Sequence, residues 1–150
     1  MRIALDTNPL AYAFGVNTPA QQVRAAAVLA ALTRHKRVLP AQVAAELHSV
    51  LTRKGGFSRT EAAATVAAWM DESEVIPTSG DVLADAFELA VRHRLQVFDA
   101  VILAAAAAAR CDLLLSEDMQ DGFVYRGVTV ADPFRTPLHP LLADALQEAP

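Results

Sequence analysis

A chain of 150 residues, 53% hydrophobic and 20% charged with a net charge of −4, is long enough to bury roughly 70% of its unfolded surface in one core. It is too apolar to stay disordered, and its negative balance argues against a broadly basic nucleic-acid-binding surface. Its one cysteine, Cys111, cannot form an internal disulfide and reads as a small buried hydrophobe, while the longest apolar stretch, Ala100–Ala109, is ten residues, about half a bilayer span.

Taken in chain order, short apolar runs alternate with longer helical patterns. Asp6 interrupts the N-terminus before a signal-peptide core could form, so a cytoplasmic protein is expected. The first strand is Ile3–Leu5. Thr18-Pro19-Ala20-Gln21 combines a capping-box pattern with proline at the first helical position, and opens a helix to about His35. Arg37–Leu39 is the second strand. Pro40 opens a helix whose Val43, Leu47, Val50 and Leu51 share a face and which Gly55-Gly56 ends. Ser58-Arg59-Thr60-Glu61 is a second capping box, followed by the stripe Ala62, Val66, Trp69 and Met70, which suits a core or an interface. Glu74–Pro77 is the third strand. A helix from Asp81 to about His93 and another from near Phe98 to Arg110 lead to strands Leu113–Ser116 and Val128–Ala131. Strands that are apolar throughout rather than alternating, and separated by helices, predict an α/β fold with a parallel sheet covered on both faces. After Phe134 the alternation stops, and "LLADALQEA" can form one short further helix.

In such a sheet, functional groups gather at the carboxyl ends of strands, beside the point where strand order reverses. Asp6 ends the first strand, and Glu117 and Asp118 follow the fourth. Asp99 opens an almost wholly apolar helix. Taken singly it complements the helix dipole, but a helix that apolar must be buried, where an acid is costly unless something binds it. Glu46 flanks the apolar face of its helix and reads singly as a solvent-facing acid; Asp121 reads as part of a turn with Gly122. If the acids converge, two carboxylates ~4 Å apart repel by about 4 kcal/mol at an effective dielectric near 20. A cation relieves that repulsion, and all-oxygen donors suit Mg²⁺ or Mn²⁺ rather than zinc. Phosphodiester hydrolysis is the chemistry such a site serves, with Thr7, Asn8 and Ser116 placed to orient carboxylates or water.

The set "LDTN", "AAELHSVL", "FDAVILAAA" and "LLLSEDMQDG…VTVADPF" resembles the PIN-domain ribonucleases, in particular the VapC-type toxins of bacterial toxin–antitoxin pairs, from Arg2 to about Phe134. The resemblance implies a three-layer α/β/α sandwich around a parallel five-stranded sheet of order 3-2-1-4-5. It further implies that Asp6, Glu46, Asp99 and Asp118 form a catalytic, metal-holding pocket, with Asp121, Asn8 and Ser116 in support. It implies a Mg²⁺- or Mn²⁺-dependent endoribonuclease acting on single-stranded RNA such as tRNA or rRNA, leaving a 3′-hydroxyl and a 5′-phosphate. A homodimer and a silencing antitoxin partner are implied as well. On this reading residues 1–134 are the PIN domain, and residues 135–150 are a C-terminal extension to which the resemblance assigns no role.

With the five site acids set aside, the rest of the chain carries one net positive charge. Its basic clusters, Arg34–Arg37, Arg53-Lys54 and Arg92–Arg94, all fall near helix ends, where cations are favourable in any case; contact with phosphate is the alternative. His35, His48, His93 and His139 lack metal-ligand spacing and read as surface or interface residues. The competing function is a non-catalytic RNA- or protein-binding module on the same fold, which has no physical reason to keep mutually repelling acids. A receiver-like phosphoryl-transfer domain lacks its strand-end lysine, and neither GxGxxG nor a P-loop occurs.

Overall fold

The computed structural model describes residues 1–147. Six strands form its sheet: β1 (Arg2–Leu5), β2 (Lys36–Pro40), β3 (Glu74–Ile76), β4 (Leu113–Leu115), β5 (Val124–Tyr125) and β6 (Val128–Ala131). Their order is β3-β2-β1-β4-β6-β5, parallel throughout except for β5. The five expected strands therefore stand side by side in the expected order, and the sheet has one strand more. That sixth strand exists because Arg126 and Gly127 both adopt positive φ, 44° and 84°, the geometry of a tight two-residue hairpin whose twist matches that of its strands. It folds Val124–Tyr125 back onto the edge of β6.

The central strands are buried on both faces: Ile3, Ala4, Leu5, Leu113, Leu114 and Leu115 are at most 1% exposed. This is why each reads as an unbroken apolar run. The covering layers are α1 (Thr7–Ala13), α2 (Pro19–Ala31), α3 (Ala41–Lys54), α4 (Arg59–Asp71), α5 (Gly80–His93), α6 (Val97–Ala108) and α7 (Pro140–Gln147). Both capping signals act as expected. Thr18 Oγ1 accepts from the Gln21 amide, and Ser58 and Glu61 close a reciprocal box. α2 ends earlier than expected, at Ala31, and a short 3₁₀ turn over Leu32–Arg34 leads into β2.

α1 has no counterpart in the sequence-based expectation. Its signal is "DTNP": Asp6 is the N-cap, its carboxylate accepting from the Thr7 amide at 2.7 Å, and Pro9 sits in the first turn, where a missing N–H costs nothing. α6 packs against α5, α3 and the sheet, and its Ala104, Ala105 and Ala106 are at most 1% exposed.

His35 differs from its expected surface position, being buried at the start of β2. Its Nδ1 faces the Met1 amino group at 3.3 Å and its Nε2 the Ala145 carbonyl at 2.9 Å, so the ring bridges the N-terminus and α7. The described part of the C-terminal segment thus folds back onto the body, with Leu142 and Ala145 fully buried; the end of "LLADALQEA" lies outside the described residues. Trp69 is partly buried against the core beneath the Arg37 guanidinium, 5.0 Å from its ring centre, and Met70 is exposed. Cys111 is buried, which pushes its thiol up to about 12 and leaves it a core residue.

Replacing Leu142 by Ala should lower the unfolding free energy by about 2–5 kcal/mol, as for other buried leucines. Urea denaturation measures this, and a change below about 0.5 kcal/mol would mean α7 contributes no packing.

Candidate active site

β1 and β4 are neighbours in the register Leu5↔Leu115, so the first residues beyond them, Asp6 and Ser116, leave the sheet side by side. The backbone ladder continues through them: the Asp6 amide donates to the Leu115 carbonyl at 3.0 Å, and the Ser116 amide to the Ala131 carbonyl at 3.1 Å. Ser116 Oγ then donates to the second oxygen of Asp6 at 2.7 Å and itself accepts from the Met119 amide at 3.3 Å. Asp6 is 5% exposed. Each of its oxygens has a donor, but neither donor carries a full positive charge.

Thr7 holds two acids. Its amide caps onto Asp6, and its hydroxyl donates to Glu46 at 2.7 Å; the other Glu46 oxygen accepts from Gln42, one turn earlier on α3, at 3.0 Å. The loop after β4 is pinned to α1 twice. Asn8 Nδ2 donates to Asp118 at 3.1 Å, and the Tyr12 hydroxyl donates to Glu117 at 2.7 Å. Asp99 lies in the first turn of α6, half-buried, and no side-chain capping bond forms at that helix end.

These elements meet in one cleft of about 250 Å³ lined by Asp6, Asn8, Glu46, Asp99 and Asp118, together with Thr7, Ser49, Val50, Arg53 and Gln96. Four expected acids are therefore brought together, and Ser116 supports Asp6 from behind. Asp121 is not brought to the cleft. Its carboxylate accepts from the Asp132 amide at 2.9 Å and faces Arg135 at 3.9 Å, tying the segment after β6 to the turn before β5. Ser49, Arg53 and Gln96 were not among the expected site residues. The signal for the first two is helical spacing: Gln42, Glu46, Ser49 and Arg53 recur at the four- and three-residue intervals that line one helix face. Arg53 Nε donates to Ser49 Oγ at 3.0 Å, so this cation is held over the cleft by a hydroxyl and not by an acid.

The electrostatics show the convergence. Burial, and then the charges of Asp99 and Glu46, push Asp6 up from the usual carboxylate range to about 6, against the lowering effect of its bonds to Ser116 and Thr7. Asp99 is also raised, by burial first and then by Asp118 and Glu46. The donors are carboxylate, hydroxyl and amide oxygens with no thiol or imidazole, a set that fits Mg²⁺ or Mn²⁺. Among the described residues no three acids stand close enough to cage an ion unaided. This too suits Mg²⁺, which is commonly held by one or two carboxylates and keeps its remaining positions for water and phosphate oxygens.

A profile of the PIN domain matches residues 3–121, four-fifths of the chain and every acid of the cleft. The chain belongs to the PIN-domain family. No curated protein matches it in sequence. Among solved structures, this PIN domain is similar to VapC20 of Mycobacterium tuberculosis, a sarcin-ricin loop cleaving toxin, with a TM-score of 0.64 and 21% identity over 77% of this chain and 91% of that one. It is similar to a toxin–antitoxin complex from Klebsiella pneumoniae (TM-score 0.66, 20% identity, 88% and 98% covered). It is also similar to VapBC2 from Rickettsia felis, solved on a DNA fragment from its promoter (0.63, 16%, 88% and 98%). At these identities the likeness is one of fold.

The raised Asp6 has a signed consequence. Between about pH 4 and pH 6 the folded state holds a proton that the unfolded state has released, so ion-free stability falls as pH rises through that window and stays reduced above it. The shift corresponds to about 3 kcal/mol. In a chelator, Asp6→Asn should therefore be more stable than wild type at pH 7.5, by up to about 3 kcal/mol, with the gain gone at pH 4. Urea melts at the two pH values test this; equal stability at pH 7.5 would show that Asp6 is not under strain.

Proposed function

We propose that this PIN domain is a divalent-metal-dependent endoribonuclease that hydrolyses phosphodiester bonds in single-stranded RNA and serves as a toxin silenced by a cognate antitoxin. The observation that carries the reading is the meeting of Asp6, Glu46, Asp99 and Asp118 from four separate elements in one cleft, with Asp6 raised to about 6 by burial and by its neighbours. A non-catalytic module gains nothing from that cost, which argues against the competing reading.

In this reading Asp6 and Asp99 hold a Mg²⁺ or Mn²⁺ ion, with Glu46 and Asp118 completing the acidic wall. A bound ion supplies Lewis-acid polarisation of the phosphate and a lowered pKa for the attacking water. The chain's own residues do the positioning. Ser116 and the Thr7 amide fix both Asp6 oxygens, Thr7 Oγ1 and Gln42 fix Glu46, and Asn8 fixes Asp118, so these three acids would meet an ion without reorienting. Arg53 at the rim attracts the flanking backbone phosphate. Hydrolysis leaves a 3′-hydroxyl and a 5′-phosphate.

The antitoxin partner is supported by the similar structures from Klebsiella pneumoniae and Rickettsia felis, both toxin–antitoxin assemblies. A homodimer belongs to the same reading, supported by large apolar side chains left exposed, Phe87 and Val91 a turn apart on α5 and Phe98 at the start of α6. Among the described residues no helix is long and apolar enough to cross a membrane; action on cytoplasmic RNA is part of the proposal.

With purified protein and a single-stranded RNA, Asp6→Asn and Asp99→Asn should each lower Mg²⁺- or Mn²⁺-dependent cleavage at least about 100-fold, the scale of losing a principal catalytic group, while circular dichroism stays native. Undiminished cleavage by both variants would remove the metal mechanism. Asp121→Ala, whose carboxylate braces backbone, should reduce thermal stability more than it reduces kcat/KM, and Asp118→Ala should do the opposite.

A further inference from the structure

Beside the acid cleft lies a second one of about 350 Å³, lined by Asn8, Tyr12, Val16, Asn17, Val50 and Lys54. The two clefts share Asn8 and Val50, so they are successive compartments of one groove. Their chemistry differs sharply. Four acids line the first, whereas the second has no acid in its lining and carries an ammonium at its edge. Its volume sits at the lower end of the ~300–1,000 Å³ typical of small-ligand sites, room for one nucleotide and not for a helix.

The orientation of the Asn8 amide follows from its partner. Asn8 faces a carboxylate of Asp118, which only accepts, so Asn8 must present its nitrogen there, and its carbonyl oxygen is left for the cleft. The Tyr12 hydroxyl gives its proton to Glu117 at 2.7 Å. Asn17 lines the same compartment, and its side-chain amide carries both a donor and an acceptor. Asn17 sits in the left-handed region, φ 75°, a conformation asparagine tolerates well. Val50, partly buried, supplies apolar surface for the face of a ring. Lys54 is exposed and makes no ion pair among the described residues.

We propose that this compartment is a base-reading subsite that receives the nucleotide next to the scissile phosphate and sets the sequence preference of cleavage; the assignment rests on the ribonuclease reading. The Asn8 carbonyl, with the Asn17 amide beside it, selects bases that present donors. Guanine offers two adjacent donors, adenine and cytosine an amino group, and uracil a single N–H between two repelling oxygens. Guanine is therefore favoured most and uracil least. Lys54 contacts the phosphate of the same nucleotide and adds affinity without selectivity.

The test uses four short single-stranded RNAs that differ only in the nucleotide adjoining the cleaved bond. Wild type should cleave the guanine substrate about five- to tenfold better in kcat/KM than the uracil one, the range expected of hydrogen bonds made or lost. Asn17→Gly, which keeps the left-handed backbone but removes the amide, should bring that ratio close to one. Lys54→Gln should weaken all four substrates alike and lower the salt dependence of binding. Fluorescence anisotropy on an Asp99→Asn background, where cleavage does not intervene, should give the same ranking in Kd and the same levelling by Asn17→Gly. Cleavage without base preference, or a preference that Asn17→Gly leaves intact, would overturn the subsite and leave the ribonuclease reading standing. Absence of cleavage and of RNA binding by any form would overturn both.

Discussion

Asp6 is an acid forced into the interior by its own strand. β1 is central and buried on both faces, so the residue that follows Leu5 emerges beneath α3 and α6 and not into solvent. Two neutral donors, Ser116 Oγ and the Thr7 amide, soften the cost of burial but do not cancel it, and the carboxyl stays raised. The other parts of the site are arranged around that unresolved charge. Ser116 is at hand only because β4 pairs with β1, and Thr7 only because Asp6 caps α1. From Thr7 the same short helix reaches Glu46, through Asn8 it reaches Asp118, and through Tyr12 it holds the loop after β4. Seven residues of helix thus connect the strand-end acid to two of the three others.

The convergence of acids at this cleft therefore works against stability. Asp6 and Asp99, both raised by burial, are raised further by acids that each would be more comfortable without. Such arrangements mark functional sites more often than structural ones. The balance of charge elsewhere is consistent with this. Lys36 and Arg2 converge on Glu74, Arg37 pairs with Glu72, Arg92 with Glu88 and Arg126 with Asp85. Arg53 and Lys54, at the end of α3, line the two compartments of the groove instead.

Much of this was legible in the sequence. Apolar runs without alternation located all five parallel strands, capping signals located α2 and α4, and the strand-end position of Asp6 and the odd placement of Asp99 on an apolar helix singled out two acids. Other features were hidden for physical reasons. α1 went unseen because its proline and polar residues suggest a turn, although they are what a first helical turn accepts. β5 is two residues long and owes its existence to a positive φ at Arg126, which no periodicity reports. His35 carries a polar label but finds both its partners at distant chain positions. Asp121 shares the "SEDMQDG" stretch with Asp118, yet three residues of turn are enough to aim it at a backbone amide instead of the cleft.

The alanines of α6 set a distance. Ala104, Ala105 and Ala106 are buried, so along this stretch only methyl groups stand between the helix and its neighbours. Asp99 rides on its first turn. A larger residue at any of these positions would act as a wedge, since a packed interior yields by shifting whole elements. The acid would then be lifted away from its neighbours without any change to the acids themselves. A plain run of small residues more than a turn away thereby holds part of the site's geometry.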